Sequence, residues 1–327
     1  MIISQTPLRV SFAGGGSDLP SYYRDYGGCV VSTAIDKYVY VTVSRKFDES
    51  LRVSYSRTEE VRHVAELNHP IVREAIKMMS IQEGLEITSI ADIPSKGTGL
   101  GSSSSFSVGL MHALHAIHGR HVSAKRLAEE ACLIEIEKCG EPIGKQDQYA
   151  AAHGGFNYIE FMRDGTVQVD PIILSKEQRD FLGKRFMMFF TGCTRSASEI
   201  LAVQARELSE NMDKLSAMHR MVELARELRD ELHGGNLDAM GRVLHENWLL
   251  KQSLAPGITN HQINEWYERA MDAGALGGKL LGAGGGGFLL FYVPQEAAEH
   301  VRRALKDIRE FGFTMERRGS RIIFVND

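Results

Sequence analysis

The sequence predicts an α+β fold, with strands gathered at the start of the chain and helices massed after its midpoint. Three observations carry that expectation. The first 45 residues alternate in polarity and are rich in Val, Tyr and Thr, as half-buried strands are. From about residue 197 to 273, apolar residues recur at three- and four-residue spacing, the period of amphipathic helices. No regular strand–helix–strand alternation links the two halves, which argues against a doubly wound parallel sheet. The composition shifts from strand-rich to helix-rich near residue 180, so a domain boundary is expected there, giving 1–180 and 181–327. A chain of 327 residues suits two domains of ordinary size and can bury a core without covalent staples.

In chain order, residues 8–12 read as a strand and 29–43 as a longer one. A helix is predicted over 70–79 and a strand over 85–91. A glycine-rich loop then leads into a helix over 103–118. Ser123 can cap the next helix, expected to run to about Cys139. Strands follow at 156–161, 167–169 and 185–190. Helices are expected over 197–233, 237–252 and 260–273. The chain closes with a strand at 287–293, a helix over 295–310, and strands near 313–317 and 322–325. No internal repeat of fixed period is present.

Composition excludes several classes. Hydrophobic residues make up 43% and charged residues 24%, as in ordinary globular proteins. Lys plus Arg is 38 and Asp plus Glu is 42, a net charge of −4. The surface as a whole therefore does not capture nucleic acid or anionic lipid, although a local basic pocket remains open. No apolar run reaches the ~18 residues of a membrane span, and the first residues lack the pattern of a signal peptide. Cys29, Cys132, Cys139 and Cys193 form no C-x-x-C pair. Neither a disulfide framework nor a zinc knuckle is expected, and a reducing, cytoplasmic location is.

Many of the 32 glycines fall into three clusters. The first is Phe12-Ala13-Gly14-Gly15-Gly16-Ser17-Asp18, directly after a predicted strand. The second runs from Pro94 to Ser105, with Gly97, Gly99 and Gly101 alternating before four serines that open a helix. The third, Gly282-Ala283-Gly284-Gly285-Gly286-Gly287, enters a strand. A lone glycine cluster is most often a turn. The second asks for more: glycines let the backbone approach a ligand, and a helix N-terminus adds free N–H groups and partial positive charge. With serine hydroxyls beside them, these features suit an anion, above all phosphate. Walker A spacing is absent; Gly144-Lys145-Gln146 and Gly278-Lys279-Leu280 both lack the hydroxyl residue that must follow the lysine.

At 100° per residue, Ala128, Ala131, Cys132, Glu135 and Cys139 share one small apolar face of the helix after Ser123, while Glu129, Glu130 and Glu137 point elsewhere. Glu135 is thus a carboxylate in a buried stripe, which requires an ion pair or a metal; magnesium is the functional reading. Twelve residues on, Asp147 lies in Gly144-Lys145-Gln146-Asp147-Gln148. An Asp in a turn is commonly a cap. Beside a phosphate loop and a buried Glu, it also supplies the carboxylate that phosphoryl transfer needs to orient or deprotonate an acceptor.

These motifs resemble those of the GHMP kinases, which include galactokinase, homoserine kinase, mevalonate kinase and phosphomevalonate kinase. Pro94 to Ser104 resembles the family's central motif, Pro7 to Asp18 its N-terminal motif, and Lys279 to Gly287 its C-terminal one, all in family order across nearly the whole chain. Residues 6–37 and 140–148 are most similar to the branch of bacterial D-glycero-D-manno-heptose 7-phosphate kinases. The resemblance implies a GHMP kinase fold: an N-terminal ribosomal-protein-S5-domain-2-like domain that binds ATP and a C-terminal ferredoxin-like domain, with the acceptor between them. ATP would lie along Lys96, Gly97, Thr98, Gly99, Leu100, Gly101, Ser102, Ser103 and Ser104. Asp147 corresponds to the catalytic aspartate, and Arg9 should lie near the transferred group. Glu135 and Ser103 correspond to the Mg2+ ligands, with Ser102 or Ser104 as alternatives to Ser103. Asp18 matches an aspartate that holds sugar hydroxyls, with Gly15, Gly16 and Ser17 beside it. Those three stand where galactokinases carry Glu-His-Thr, which disfavours galactose. Thr191, Gly192 and Arg195 are candidates for the acceptor side, Arg195 for an acceptor phosphate.

The implied reaction is ATP-dependent phosphorylation at C1 of D-glycero-D-manno-heptose 7-phosphate, feeding nucleotide-activated heptose for surface glycans. Another anomeric sugar kinase, fucokinase-like, is the alternative. A third reading is a catalytically inactive ATP- and sugar-binding regulator, disfavoured because Asp147 and Glu135 are both present. The implied partner is a small-molecule sugar phosphate, with neither nucleic acid nor membrane; a homo-oligomer is left open. His112, His115 and His118 recur every third residue, but no Cys or acidic partner accompanies them in sequence, so they are expected to be partly exposed rather than metal ligands.

Overall fold

Two antiparallel-dominated sheets organise the chain, and the α+β class is the one expected. The computed structural model describes residues 1–81, 84–94, 97–193 and 197–326. The elements of the first half are β1 (Ile2–Ala13), α1 (Pro20–Tyr26), β2 (Gly28–Arg45), β3 (Leu51–Ser54), β4 (Thr58–Val61), α2 (Pro70–Met78), β5 (Leu85–Ala91), α3 (Ser102–Ile117), α4 (Ala124–Cys132), α5 (Gln146–His153), β6 (Phe156–Phe161), β7 (Val167–Pro171) and α6 (Lys176–Gly183). The second half holds β8 (Phe186–Phe190), α7 (Ala197–Glu210), α8 (Met212–His233), α9 (Ala239–Leu254), α10 (His261–Asp272), β9 (Gly277–Leu280), β10 (Phe288–Tyr292), α11 (Ala298–Ala304), β11 (Arg309–Glu310) and β12 (Arg321–Val325).

The first sheet has the order β12-β1-β2-β5-β3-β4, with β6 paired to β2 and β7 to β6. Its centre is β2, whose 18 residues serve two neighbours on one edge: residues 28–33 pair with β6 and 39–45 with β5. On the opposite edge β2 runs antiparallel to β1. The second sheet is β11-β8-β10-β9. All five residues of β10 are buried, which explains a run of Phe, Leu, Leu, Phe and Tyr with no polar alternation. Helix α3 lies against β1 at Gly109, where a Cβ would come 2.7 Å from Thr6 Oγ1; the Ser4 hydroxyl donates to the Gly109 carbonyl at 2.7 Å. That contact sets the height of the glycine loop that opens α3.

Several expectations are corrected. The helix predicted over 197–233 is two helices. Asn211 stops the first and caps the second, its side chain accepting from the N–H groups of Asp213 and Lys214 at 2.9 and 3.3 Å. The helix after Ser123 changes pitch at Leu133 and continues as a π-helical turn to Lys138. The helix over 295–310 shrinks to a 3₁₀ turn, Gln295–Ala297, and α11; Arg309–Glu310 instead pairs with β8. The strand near 313–317 reduces to a single bridge, Ile35 to Met315. The chain's last strand, β12, returns to the first sheet and pairs with β1.

Six elements escaped the sequence reading: α1, β3, β4, α5, α6 and β9. The start of α6 was legible: Ser175 and Gln178 form a capping box, each side chain meeting the other's backbone N–H. By contrast β3 and β4 are only four residues each and β4 is half exposed, so their apolar pattern is weak.

Candidate active site

A cavity of about 470 Å³ is lined by residues from all three glycine clusters. Gly15 and Gly16 come from the first, Gly99, Gly101 and Ser102–Ser104 from the second, and Gly282 from the third. The second and third clusters touch backbone to backbone. A Cβ on Gly282 would come 2.3 Å from Gly99 Cα, and one on Gly99 would come 2.3 Å from the Leu281 carbonyl oxygen. Both glycines have positive φ, so the contact and the conformation each require the missing side chain. Gly101 lies in the left-handed region as N-cap of α3, and Ser102, Ser103 and Ser104 form the first turn. The free N–H groups of a 16-residue helix therefore open at the cavity.

Arg9 joins this loop to Asp147. Its Nε and Nη2 each donate to one Asp147 carboxylate oxygen at 2.7 Å, and its Nη1 donates to the Gly99 carbonyl at 2.6 Å. The Arg9 side chain is 7% exposed and that of Asp147 28%, so the carboxylate faces the cavity and the guanidinium backs it. Asp147 is the second residue of α5. Asp18 positions that helix: its Oδ2 accepts from the Gln146 N–H at 3.1 Å and its Oδ1 from the Gly16 N–H at 3.0 Å. Burial pushes the Asp18 carboxyl up, against the pull of the Gln146 N–H. Gly144 makes room, since a Cβ there would come 1.9 Å from Asp18 Oδ2.

Glu135 is buried, as the helical wheel required, and Glu137 is exposed. Its Oε1 accepts from the Ser103 hydroxyl at 2.9 Å and its Oε2 from the Gln148 amide at 2.7 Å. Burial raises its pKa to about 7, while hydrogen bonds from Gln148, Ser103 and Ser104 hold it down. A buried carboxylate with only neutral donors lacks a counter-charge. Carboxylate and hydroxyl oxygens are the hard donors magnesium takes, usually one or two from protein with the rest from phosphates and water, so the pair fits that ion. Glu130 is not turned simply to solvent: it accepts from His115 Nε2 at 2.7 Å and from Arg126 Nε at 2.8 Å.

The expectation of partly exposed histidines holds for His112 and His118 and is corrected at His115. His115 is 3% exposed and bound to Glu130. His112 is held at 3.0 Å by the Ser320 hydroxyl, and burial lowers its pKa to about 4. Among the described residues no group of three or more His, Cys, Asp or Glu gathers to hold a metal.

Other expected site residues lie elsewhere. Ser17 is buried and exchanges hydrogen bonds with the Cys29 backbone, both at 3.0 Å. The Thr191 hydroxyl donates to the Gly287 carbonyl at 2.9 Å, and neither Thr191 nor Gly192 lines the cavity. Leu100 is core, and Gly97 and Thr98 do not line the cavity. Lys96 and Arg195 lie outside the described residues. Lys145 donates to the Gly165 carbonyl at 2.6 Å and sits over the Tyr23 ring, away from the lining.

Among the lining residues not expected in the site are Ser11, Gln146, Gln204, Lys251 and Lys279. Ser11 Oγ, Gln146 Nε2 and Gln204 Nε2 are buried without a protein hydrogen-bond partner. Such groups are rare in native interiors and mark where a polar ligand completes the network. For Lys251 a signal existed. It follows Leu244, Asn247 and Trp248 at three- and four-residue spacing, a lysine in a buried stripe just as Glu135 is a carboxylate in one.

The fold and site define a small-molecule kinase, and comparison with known proteins places it. Residues 65–155 match the GHMP kinases N terminal domain and residues 221–308 the GHMP kinases C terminal domain. The chain is 30% identical to a D-glycero-alpha-D-manno-heptose 7-phosphate kinase from Campylobacter jejuni, over 96% of this chain and 97% of that protein. It is 28% identical to a bifunctional fucokinase/GDP-fucose pyrophosphorylase from Arabidopsis thaliana, over 94% of this chain but 31% of that one. The crystal structure of a D-glycero-D-manno-heptose 1-phosphate kinase from Bacteroides thetaiotaomicron superposes with a TM-score of 0.82 at 26% identity, covering all of both chains. The chain belongs to the GHMP kinase family, and it is a phosphotransferase with an alcohol group as acceptor.

The backbone contact between the glycine clusters is directly testable. Gly282→Ala forces a side chain into the left-handed region and into Gly99. It should cost roughly 2–5 kcal/mol, from ~1–2 for the conformation and ~1–3 for overpacking, and weaken ATP binding more than about tenfold. Gly183→Ala, at the end of α6 with nothing within 4 Å of its Cβ, should be neutral or stabilise by up to about 1 kcal/mol. Urea unfolding and nucleotide titration of the two variants measure the difference.

Proposed function

We propose that this kinase transfers the γ-phosphoryl group of ATP to the C1 hydroxyl of D-glycero-D-manno-heptose 7-phosphate, giving the 1,7-bisphosphate for nucleotide-activated heptose and surface glycans, in the cytoplasm. One observation carries the reading. Asp147 is clamped by Arg9 against the glycine loop, with its carboxylate open to a cavity that also holds three unsatisfied buried groups, on Ser11, Gln146 and Gln204. A carboxylate beside several unpaired hydrogen-bonding groups suits a polyhydroxylated acceptor. Names carried by relatives support the choice, since the Campylobacter protein and the Bacteroides structure are both called kinases of a heptose phosphate.

In this reading Asp147 takes up or orients the C1 hydroxyl proton, and the Arg9 fork holds the carboxylate in place and aimed. The N–H groups at the start of α3 and the glycine loop hold the nucleotide phosphates. Glu135 and Ser103 are the residues that would hold magnesium, whose chemistry here is neutralisation of charge on the β- and γ-phosphates. Asp18, with both oxygens already engaged by backbone, acts chiefly by fixing the start of α5. A second reading, a fucokinase-like kinase of an unphosphorylated sugar, is favoured by the match of the Arabidopsis protein to 94% of the chain.

Three outcomes are expected. Asp147→Asn keeps its fold and ATP affinity, because the amide oxygen still accepts from Arg9, while kcat falls by about 10²–10⁴; steady-state kinetics beside nucleotide binding shows it. Glu135→Gln or Ser103→Ala raises the magnesium concentration needed for half-maximal rate and lowers kcat, whereas Glu137→Gln does neither. A damaging Glu137→Gln beside a silent Glu135→Gln would reverse the assignment. In a comparison of kcat/KM for heptose 7-phosphate and the unphosphorylated heptose, the phosphate should gain about 10–150-fold, the worth of ~1.5–3 kcal/mol for a charged hydrogen bond. Equal efficiencies would favour the fucokinase-like reading.

A further inference from the structure

We infer that Lys251 of α9 and Lys279 of β9 together form a subsite for one phosphate group, on the part of the cavity wall where the first and third glycine clusters meet the nucleotide loop. The identity of the ligand rests on the kinase reading above; the subsite itself rests on the geometry of the two lysines. Both line the cavity, and they are 6% and 2% exposed. A protonated lysine has three donors, yet among the described residues each meets a single protein acceptor. Lys251 donates to the Gly282 carbonyl, and Lys279 to the Phe12 carbonyl at 3.0 Å. Those carbonyls belong to the third and first clusters, and Gly282 packs on Gly99 of the nucleotide loop.

Among the described residues neither lysine forms an ion pair. The charged groups that act on Lys251 are Arg9 of β1, Asp18 after β1 and Asp147 of α5, and Lys279 feels Lys251 and Arg9. The two carboxylates are already engaged, Asp147 by the Arg9 fork and Asp18 by two backbone N–H groups. Neither amine has an anion beside it among the described residues, and a buried ammonium without a counter-charge is costly enough to favour loss of its proton. Burial lowers the Lys251 pKa to about 8, with Arg9 adding to the fall, and pushes Lys279 well below its usual value, with Lys251 and Arg9 adding. A dianionic phosphate supplies the missing counter-charge and acceptors for the unused donors. Two phosphates qualify, the acceptor's own and the terminal one of the nucleotide.

The test begins with the wild-type enzyme. A lysine whose pKa is depressed in the free protein regains its proton when an anion arrives, so phosphate binding at pH 8.5 must take up protons. The ligand's own phosphate is already a dianion there, its second pKa being about 6. Calorimetry in buffers of different ionisation enthalpy, with heptose 7-phosphate, the unphosphorylated heptose, Mg–ADP and a Mg-bound non-hydrolysable ATP analogue, should show uptake for a probe bearing the subsite phosphate and none for its counterpart without it. Lys251→Met and Lys279→Met should then lose about 10–150-fold in affinity for that same probe and keep the counterpart's affinity, with no fall in the melting temperature of the free protein. Loss confined to heptose 7-phosphate assigns the subsite to the acceptor. Loss confined to the ATP analogue assigns it to the transferred phosphoryl group. The inference is overturned if no probe takes up protons and the variants either keep all four affinities or lose stability and all four together. It fails separately from the substrate reading: equal wild-type efficiency on both sugars ends that reading, and the ATP-analogue arm still decides this one.

Discussion

The fork between Arg9 and Asp147 is the contact on which the site depends. It is built from three distant pieces of chain: β1 supplies the guanidinium, α5 the carboxylate, and the loop before α3 the carbonyl of Gly99 that takes the third bond. A guanidinium is suited to this because its donors lie in one plane at fixed angles, so a single side chain sets the relative position of carboxylate and phosphate loop. Lysine could carry the charge but not the geometry. The surrounding features serve the fork. Asp18 fixes the first turn of α5, Gly144 clears space for Asp18, and the backbone of Arg9 itself donates to Leu100 at 3.1 Å.

Glycine sets the second constraint. The loop that precedes α3 has no side chains to hold its shape, so its shape is held from outside. The third cluster presses its backbone on Gly99, and the Thr98 carbonyl would lie 2.4 Å from a Cβ on Gly287. The third cluster sits between β9 and β10 of the second sheet, while the nucleotide loop leads from the first sheet into α3. The glycine loop before α3 is therefore a joint between the two sheets. Its order depends on the chain 180 residues downstream being in place, a dependence that no local propensity reveals.

What could be read from the sequence follows from this. Glu135 was legible because helical periodicity converts directly into burial, and the π-helical turn that begins at Leu133 did not displace it from the core. Asp147 and Arg9 were singled out, but their mutual contact was not, since 138 residues separate them and neither carries a periodic signal. Ser17 and Thr191 sit in motifs yet spend their hydroxyls on backbone, a distinction only the fold can make. Ser11, Gln146 and Gln204 were invisible for the opposite reason. Each is an ordinary polar residue in sequence, and only burial without a partner gives it meaning. The final strand was placed as a strand but not on β1, because register between the two ends of a chain leaves no trace in either segment.

The charges of the cavity show how stability and function oppose each other here. Glu135 is a buried carboxylate among neutral donors, and Lys251 and Lys279 are buried amines held on backbone carbonyls. Had folding alone shaped the site, the simplest remedy would be to bring these opposite charges together or replace them with apolar groups of like volume. Instead, the fully paired charge is Arg9 with Asp147, the pair to which the proposed function assigns the chemistry, while the others are kept apart and short of counter-charge. Such an arrangement is uphill in the free protein and is relieved when a ligand brings cation and anion to the right ends of the cavity. In the proposed function, a nucleotide triphosphate with magnesium, together with a phosphorylated acceptor, would carry both signs of charge in one assembly. The free energy held in these unmatched groups is then returned as binding, and it is returned most fully to ligands that present both signs at the spacing the walls dictate.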